Sequence, residues 1–239
     1  MKRAAAALIA LLALTGCRSD ATQAKPKPDL YVLTSLPLLF GEGFGLGPAT
    51  APAATFLRSR YTLRPVDLPS QLPKGAVLLA AQPRALPAEE LVALDAWVRG
   101  GGRLLLLADP MLRWPSAKPF GDPLRPPMQY PDTGLLLHWG LRLDAPDQSF
   151  FDKNSLHPGF DIEGFAVANS DPGTLNPVKR QGCVVKADGA LAECVIGKGR
   201  AIIIADADFL NVGDGEVSPG NQDSLPFLES RLDWLQRLK

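Results

Sequence analysis

The chain has few of the features that mark several large classes of protein. Its 239 residues carry 25 Lys and Arg against 25 Asp and Glu, so no excess of positive charge indicates a nucleic-acid partner. Its two histidines, His138 and His157, have no cysteine or second histidine at the spacing of metal ligands, which argues against a zinc site. The sequence therefore predicts no nucleic-acid partner, no metal and no cofactor.

Long apolar runs are also scarce, and the first one has the form of a targeting signal. Residues 4–14 are uninterruptedly apolar and follow Lys2 and Arg3. A membrane-spanning helix needs roughly 20 apolar residues, so this run is too short to span and fits the central region of a secretory signal peptide. The segment Leu14-Thr15-Gly16-Cys17 then matches the lipobox of bacterial lipoprotein precursors. We expect residues 1–16 to be removed and Cys17 to carry lipid; an ordinary signal peptide that happens to contain a cysteine is the alternative.

The residues after Cys17 are polar and rich in lysine and proline, which is typical of a tether. We assign residues 17–28 to the lipidated cysteine and this tether, and residues 29–239 to a single domain. A tether of about ten residues reaches at most about 35 Å, so the domain should stay near the membrane. This organisation predicts an extracytoplasmic, periplasmic-side protein. Arg18, rather than aspartate, follows the cysteine and favours the outer membrane over the inner one.

The two remaining cysteines lie on either side of a turn signal. Cys183 and Cys194 are placed symmetrically about Asp188-Gly189, so a hairpin with a two-residue loop brings them directly opposite each other. Directly opposed residues lie within the range of a disulfide, and an exported protein can form one. The alternative is a pair of free buried thiols. No histidine or third cysteine lies nearby to favour a metal site instead.

Apolar strands alternate with amphipathic helices along the chain, which predicts an α/β fold with a mostly parallel sheet flanked by helices. The predicted strands are residues 30–34, 61–66, 76–80, 104–107, 141–143, 162–167 and 199–206. The predicted helices are residues 50–60, 87–99, 132–140 and 224–238. Residues 183–194 form the predicted hairpin, and the rest of 144–179 is expected to be irregular.

Four sequence blocks in a fixed order resemble a known family. The principal block is LPKGAVLLAAQPRALPAEELVALDAWVRGGGRLLLLADP, and DLYVLTSLP, LLLHWGLRLD and GKGRAIIIADADFL are the others. Together they look like the auxiliary domain of uncharacterised ABC-type transport systems, the gliding-motility-like family. The resemblance implies a flavodoxin-like, class I glutamine-amidotransferase-like sheet outside the cytoplasm, with an ABC permease and ATPase as partners. The chain departs from many members in having a lipobox where they carry a transmembrane helix.

Strand-end carboxylates are the candidate site. In open α/β sheets, ligands bind beyond the carboxyl ends of the strands, where Asp109, Asp206 and Asp208 should lie near Ser35. These residues predict a polar or cation-binding cleft under one interpretation. Under the other, which we favour, the aspartates cap turns and helices. The strand before Asp109 leads to no cysteine or serine on a sharp turn, so an amidotransferase nucleophile is missing and no catalytic residue is assigned.

Two further patterns contain residues of the types that form sites. The glycine-rich residues 41–47 fit neither G-x-G-x-x-G nor a phosphate loop with GK[ST], so we interpret them as a rim loop in which Phe40 and Phe44 could contact a partner. Ser35, His157 and Asp109 have the residue types of a catalytic triad, but any chain of this length contains such a set. The sequence thus favours a non-enzymatic, membrane-tethered component of an ABC-type transport system that binds a partner or ligand. There are two alternatives: a hydrolase or glycan-acting enzyme that uses the strand-end aspartates, and a structural envelope lipoprotein.

Overall fold

The computed structural model describes residues 26–41, 51–146, 160–167, 171–179, 182–212 and 223–237. The strands are β1 Asp29–Thr34, β2 Thr62–Pro65, β3 Val77–Ala81, β4 Arg103–Leu107, β5 Leu141–Asp144, β6 Phe160–Ile162, β7 Phe165–Val167, β8 Thr174–Pro177, β9 Cys183–Lys186, β10 Leu191–Ile196 and β11 Gly199–Ile204. The helices are α1 Pro52–Arg60, α2 Ala88–Arg99, α3 Leu135–His138 and α4 Ser224–Arg237. No helix in these ranges is both long and apolar enough to cross a membrane.

A seven-stranded sheet in the order β2-β1-β3-β4-β11-β10-β9 forms the centre of the domain. The first five strands of this order are mutually parallel, and β10 and β9 extend the sheet as an antiparallel hairpin. The predicted α/β class, with a mostly parallel sheet and a hairpin, is therefore confirmed. The order of the five parallel strands is that of flavodoxin-like doubly wound folds.

Helices cover both faces of the sheet, which explains why its central strands are apolar throughout. Every residue of β3 is buried, as are four of the five residues of β4. One core cluster includes residues of α1 and α4, and the other includes residues of α2 and α3. A parallel strand that is buried on both faces has a continuous apolar run rather than an alternation of apolar and polar residues, and β3 and β4 have this pattern.

The C-terminal hairpin has the predicted register but a different turn. Cys194 lies opposite Cys183, and the two are joined in a disulfide with their Cα atoms 4.0 Å apart. Strand pairing stops at Lys186 and Leu191, so the loop has four residues instead of the predicted two. Ala187, Asp188 and Gly189 in this loop all have positive φ, and Gly189 is buried against β8, where a Cβ would lie 2.6 Å from Thr174 Cγ2.

Two short sheets correct the predictions for the middle of the chain. Residues 162–167 are not one strand; β6 and β7 form a small hairpin about Glu163 and Gly164, both with positive φ. The segment expected to be irregular contains β8, which pairs antiparallel with β5. The helix predicted over 132–140 is only the four residues of α3, because Gly134 adopts a φ of 101° immediately before it.

Candidate functional site

The four predicted cleft residues gather at the carboxyl edge of the sheet. Ser35 follows β1, Asp109 follows β4, and Asp206 and Asp208 follow β11. Because β4 and β11 are adjacent and parallel, the loops that leave them run side by side. All three aspartates are buried, with exposed fractions of 1–5%. Their roles therefore depend on the groups that their carboxylate oxygens meet inside the protein.

Asp109 joins the two loops through backbone hydrogen bonds. Its Oδ1 accepts the N–H of Met111 at 2.7 Å within its own loop, and its Oδ2 accepts the N–H of Ala207 at 3.0 Å from the loop after β11. Since a buried backbone N–H without a partner is costly, the carboxylate satisfies donors that no strand or helix can satisfy. Asp109 thus holds together the loops that follow β4 and β11.

Asp206 has a similar turn-forming role. Its Oδ1 accepts the N–H of Phe209 at 3.2 Å, three residues further along the chain, and its Oδ2 accepts the N–H of Asp171 at 3.0 Å. The first contact stabilises the short 3-10 helix at Asp208–Leu210, and the second holds the segment that leads into β8. These contacts agree with the interpretation that the strand-end aspartates cap turns.

Asp208 differs from the other two because one of its oxygens has no hydrogen-bond partner. Its Oδ2 accepts the N–H of Arg113 at 2.8 Å, whereas its Oδ1 is buried and, within the described residues, meets no donor. The Arg113 guanidinium forms an ion pair with Asp171, with Nη2 and Oδ2 2.6 Å apart. An ionised Asp208 would therefore have a buried oxygen, Oδ1, that no hydrogen-bond donor in the described part of the chain stabilises.

Burial makes both Asp109 and Asp208 weaker acids. It raises the pKa of Asp109 to about 6, against the lowering effects of backbone hydrogen bonds and of Arg113. Burial, together with the neighbouring charge of Asp109, raises the pKa of Asp208 to about 7. Two nearby carboxyls that share a dry site resist being ionised together. The pair therefore retains protons at a pH where surface carboxylates have lost theirs.

Gln82 connects Ser35 to the aspartates and was not identified from the sequence. The Ser35 hydroxyl donates to the Gln82 carbonyl. The Gln82 side-chain amide in turn donates to the carbonyls of Asp109 and Pro127, at 3.0 and 3.1 Å, and accepts the Asp109 N–H at 2.9 Å. The available signal was its place directly after β3, in the loop beside the one that carries Asp109 after β4.

These contacts do not assemble a catalytic triad. The single proton of the Ser35 hydroxyl is donated to a backbone carbonyl, and both oxygens of Asp109 accept backbone N–H groups. His157 and Phe44 lie outside the described residues, as does Cys17. His138 is at the surface, with its Nε2 3.1 Å from Arg99 Nη2. Within the described ranges, no group of three or more His, Cys, Asp or Glu side chains could hold a metal ion.

A cleft of about 280 Å³ lies beside this network, at the carboxyl ends of β1 and β2. The chain leaves β1 toward β2 on one side and later returns to β3 on the other, so the connections diverge here and leave a crevice. Arg84, Lys118 and Asp67 supply charge at its rim, and Ser35 lies at its wall. Phe40, 62% exposed, adds an apolar surface.

Sequence comparison assigns the chain to a family. The family model described as "ABC-type uncharacterized transport system" matches residues 27–167, which is more than half of the chain. The match includes β1 to β4 and their connecting helices, and thus the strand-end residues Ser35, Gln82 and Asp109. No curated protein shows significant sequence similarity to the chain.

Solved structures share the fold at low identity. A catalytic mutant of Gan42B, a GH42 β-galactosidase from G. stearothermophilus, has a TM-score of 0.50 at 13% identity, over 89% of this chain and 30% of that one. The exo-β-1,4-mannosidase Op5Man5 from Opitutaceae bacterium strain TAV5 has a TM-score of 0.47 at 14% identity, over 90% of this chain and 36% of that one. Cytoplasmic Protein STM1381 from Salmonella typhimurium LT2 has a TM-score of 0.46 at 12% identity, over 87% and 99%. The chain spans about a third of the length of these glycosidases, and the likeness concerns the fold alone.

Proposed function

Because the chain belongs to the family of ABC-type uncharacterized transport systems, as an auxiliary component, we propose that it serves such a system as a non-enzymatic, lipid-anchored binding domain outside the cytoplasm. Cys17 carries the lipid, residues up to 28 form the tether, and the folded domain meets a permease complex or its ligand. The periplasmic side of the outer membrane is the favoured location, since Arg18 rather than aspartate follows the cysteine.

The hydrogen bonding of the strand-end aspartates is the observation that supports a binding role over an enzymatic one. Both carboxylate oxygens of Asp109 and of Asp206 accept backbone N–H groups, one from the residue's own loop and one from another segment. A general acid or base needs a carboxyl within reach of a substrate proton. The cleft beside β1 instead offers exposed charge and the Phe40 ring, which are the groups that a partner protein or an organic anion would contact.

The enzymatic alternative predicts a different response to substitution. If the aspartates formed an active site, Asp109→Asn combined with Asp206→Asn would abolish function and leave the melting temperature unchanged. We expect the melting temperature to fall by several degrees instead, because an asparagine has one acceptor oxygen where each aspartate uses two, so one backbone N–H at each site loses its acceptor. Thermal unfolding followed by circular dichroism distinguishes the two outcomes.

Lipid anchoring is tested with the full chain and its Cys17→Ser variant in a bacterial host. We expect the wild-type chain to incorporate labelled palmitate and to sediment with membranes. The variant should lose the label, because serine provides no thiol for the acyl-glycerol group. Labelling that persists in the variant would refute Cys17 as the lipidated residue.

Association with a transport complex is tested by affinity purification from detergent-solubilised membranes. We expect the wild-type chain to recover an ABC permease and its ATPase, and Phe40→Asp to reduce the yield at least tenfold. Val92→Asp is the matched control, because Val92 is 69% exposed on α2, away from the cleft. Recovery of no permease by the wild-type chain would favour a structural envelope lipoprotein, and equal losses in both variants would refute the cleft as the contact.

A further inference from the structure

Charged residues are unequally divided between the two edges of the central sheet. We call residues 26–29, 74–77, 99–103 and 197–200 the amino edge, because β1, β3, β4 and β11 begin there. The acidic residue of these segments is Asp29. Their basic residues are Lys27, Lys74, Arg99, Arg103, Lys198 and Arg200.

The opposite edge has the reverse balance. The segments that follow the same four strands, residues 35–41, 82–90, 108–113 and 205–210, contain five acidic residues and two basic ones. Four of those acidic residues, Glu90, Asp109, Asp206 and Asp208, are buried, so the imbalance of exposed charge lies at the amino edge, where six basic residues accompany one acidic residue. A surface of one sign attracts a partner of the opposite sign, so the amino edge favours an anionic partner.

Internal contacts account for some of the basic residues but not for all of them. Arg103 donates to the carbonyls of Gly75 and Gln236, and Arg99 forms an ion pair with Asp95 on α2. These arginines also suit the negative ends of the neighbouring helices. Lys74 and Lys198 belong to no helix; each is exposed in a turn that precedes a strand. Their positive charge is directed to the solvent on the same side of the domain.

The chain enters the domain at this same edge. Lys27 Nζ donates to the Arg58 carbonyl at 2.7 Å, and Thr62 N donates to the Pro28 carbonyl at 2.9 Å. These bonds hold the residues before β1 against the end of α1 and the start of β2. Pro26 is nine residues from Cys17, a separation of at most about 32 Å. A lipid on Cys17 would therefore keep the amino edge close to the headgroups.

A cleft at the amino edge has the groups that an anion requires. It has a volume of about 440 Å³ and lies between α3, the end of α2 and the turn joining β10 to β11. Arg99, His138 and Lys179 line it together with Gly182 and Gly197, which pack closely against the carbonyl oxygens of Val195 and Arg99. The Asp95 carboxylate lies 2.7 Å from Arg99 Nε and 3.7 Å from His138 Nε2, so the Lys179 ammonium and the rest of the Arg99 guanidinium are the groups that suit a phosphate.

We propose that the amino edge is a lipid-facing surface that lies against anionic phospholipid headgroups, with the cleft at Arg99 and Lys179 receiving a headgroup phosphate. The inference deepens the proposed function and relies on the Cys17 anchor to keep this edge near the bilayer. Each Lys or Arg next to an anionic bilayer strengthens binding roughly fivefold, and the attraction decays within about 8 Å at physiological ionic strength. The carboxyl edge, with the Phe40 cleft, then faces away from the membrane toward the transport complex.

The test uses residues 18–239, which retain every described strand and helix but cannot be lipidated. Flotation with vesicles of equal parts phosphatidylglycerol and phosphatidylcholine, at low ionic strength, measures binding without the anchor. We expect the protein to float with these vesicles, to remain unbound with pure phosphatidylcholine, and to be released by salt. Lys74→Glu with Lys198→Glu should weaken binding at least about 20-fold, because two favourable charges become repulsive.

The matched control is Arg84→Glu with Lys118→Glu, the same change of charge at the cleft of the carboxyl edge. It should bind vesicles as the wild type does, with circular dichroism confirming that all variants fold. Equal losses in both double variants, or equal binding to both lipid compositions, would overturn the proposed surface. Absence of vesicle binding would also overturn it, while palmitate labelling of Cys17 independently decides whether the anchor exists.

Discussion

Titration of Asp208 should make the protein less stable as the pH rises through neutrality. Its carboxyl is 5% exposed, and one of its oxygens, among the described residues, lacks a hydrogen-bond donor. Burial, assisted by the charge of Asp109, raises the pKa of Asp208 to about 7. In the unfolded chain the pKa of the same carboxyl is about 3.9. The folded state therefore holds this proton more tightly, so its contribution to stability is fully present below about pH 4 and is lost through pH 7.

The linkage between proton binding and folding sets the size of this effect. Each unit of pKa shift corresponds to about 1.4 kcal/mol, so a shift of about three units costs about 4 kcal/mol once the carboxyl is ionised. Between pH 5 and pH 8, about 2.5 kcal/mol of that loss develops. Burial raises the pKa of Asp109 as well, so its titration changes stability in the same direction.

The perturbation is Asp208→Asn, which keeps an oxygen to accept the Arg113 N–H but cannot ionise. Urea unfolding followed by tryptophan fluorescence at pH 5 and pH 8, at constant ionic strength, gives the free energy of unfolding of each protein. We expect the wild type to lose about 2 kcal/mol more stability than the variant between these two pH values. Asp67→Asn, at an exposed cleft position, should retain the wild-type pH dependence. An identical pH dependence in the wild type and Asp208→Asn would refute the reasoning.

Two further predictions concern the covalent and steric constraints of the sheet. Replacing Cys183 and Cys194 by alanine should lower the free energy of unfolding by about 3 kcal/mol, because the disulfide closes a loop with a sequence separation of 11. Urea unfolding measures this change, and an unchanged midpoint of unfolding would contradict the prediction. Gly199→Ala should destabilise the protein by at least about 2 kcal/mol, since its Cβ would lie 1.9 Å from the Val98 carbonyl oxygen. Neither atom can move away without a shift of the backbone. Gly41→Ala, whose Cβ meets nothing within 4 Å, is the control, and equal melting temperatures for the two variants would refute the steric argument.

The main sheet was predictable because its signals are local. The apolar run of β3, the acidic first turn and basic end of α2, and the glycines after it each occupy a few consecutive residues. The register of the cysteine hairpin follows from symmetry about Asp188-Gly189, again a short segment. By contrast, β5 and β8 pair across about thirty residues of intervening chain, so no short turn fixes their register and their sheet could not be found from sequence pattern.

The sequence by itself determined the class of the fold and the placement of Ser35, Asp109, Asp206 and Asp208 at strand ends, because a strand and the residue that follows it are neighbours in the chain. Only the tertiary structure decided what those aspartates do. Asp109 binds the N–H of Ala207, which reaches it because β4 and β11 are adjacent in the sheet. The weak acidity of Asp208 likewise comes from burial and from the charge of Asp109, which act through space rather than along the chain.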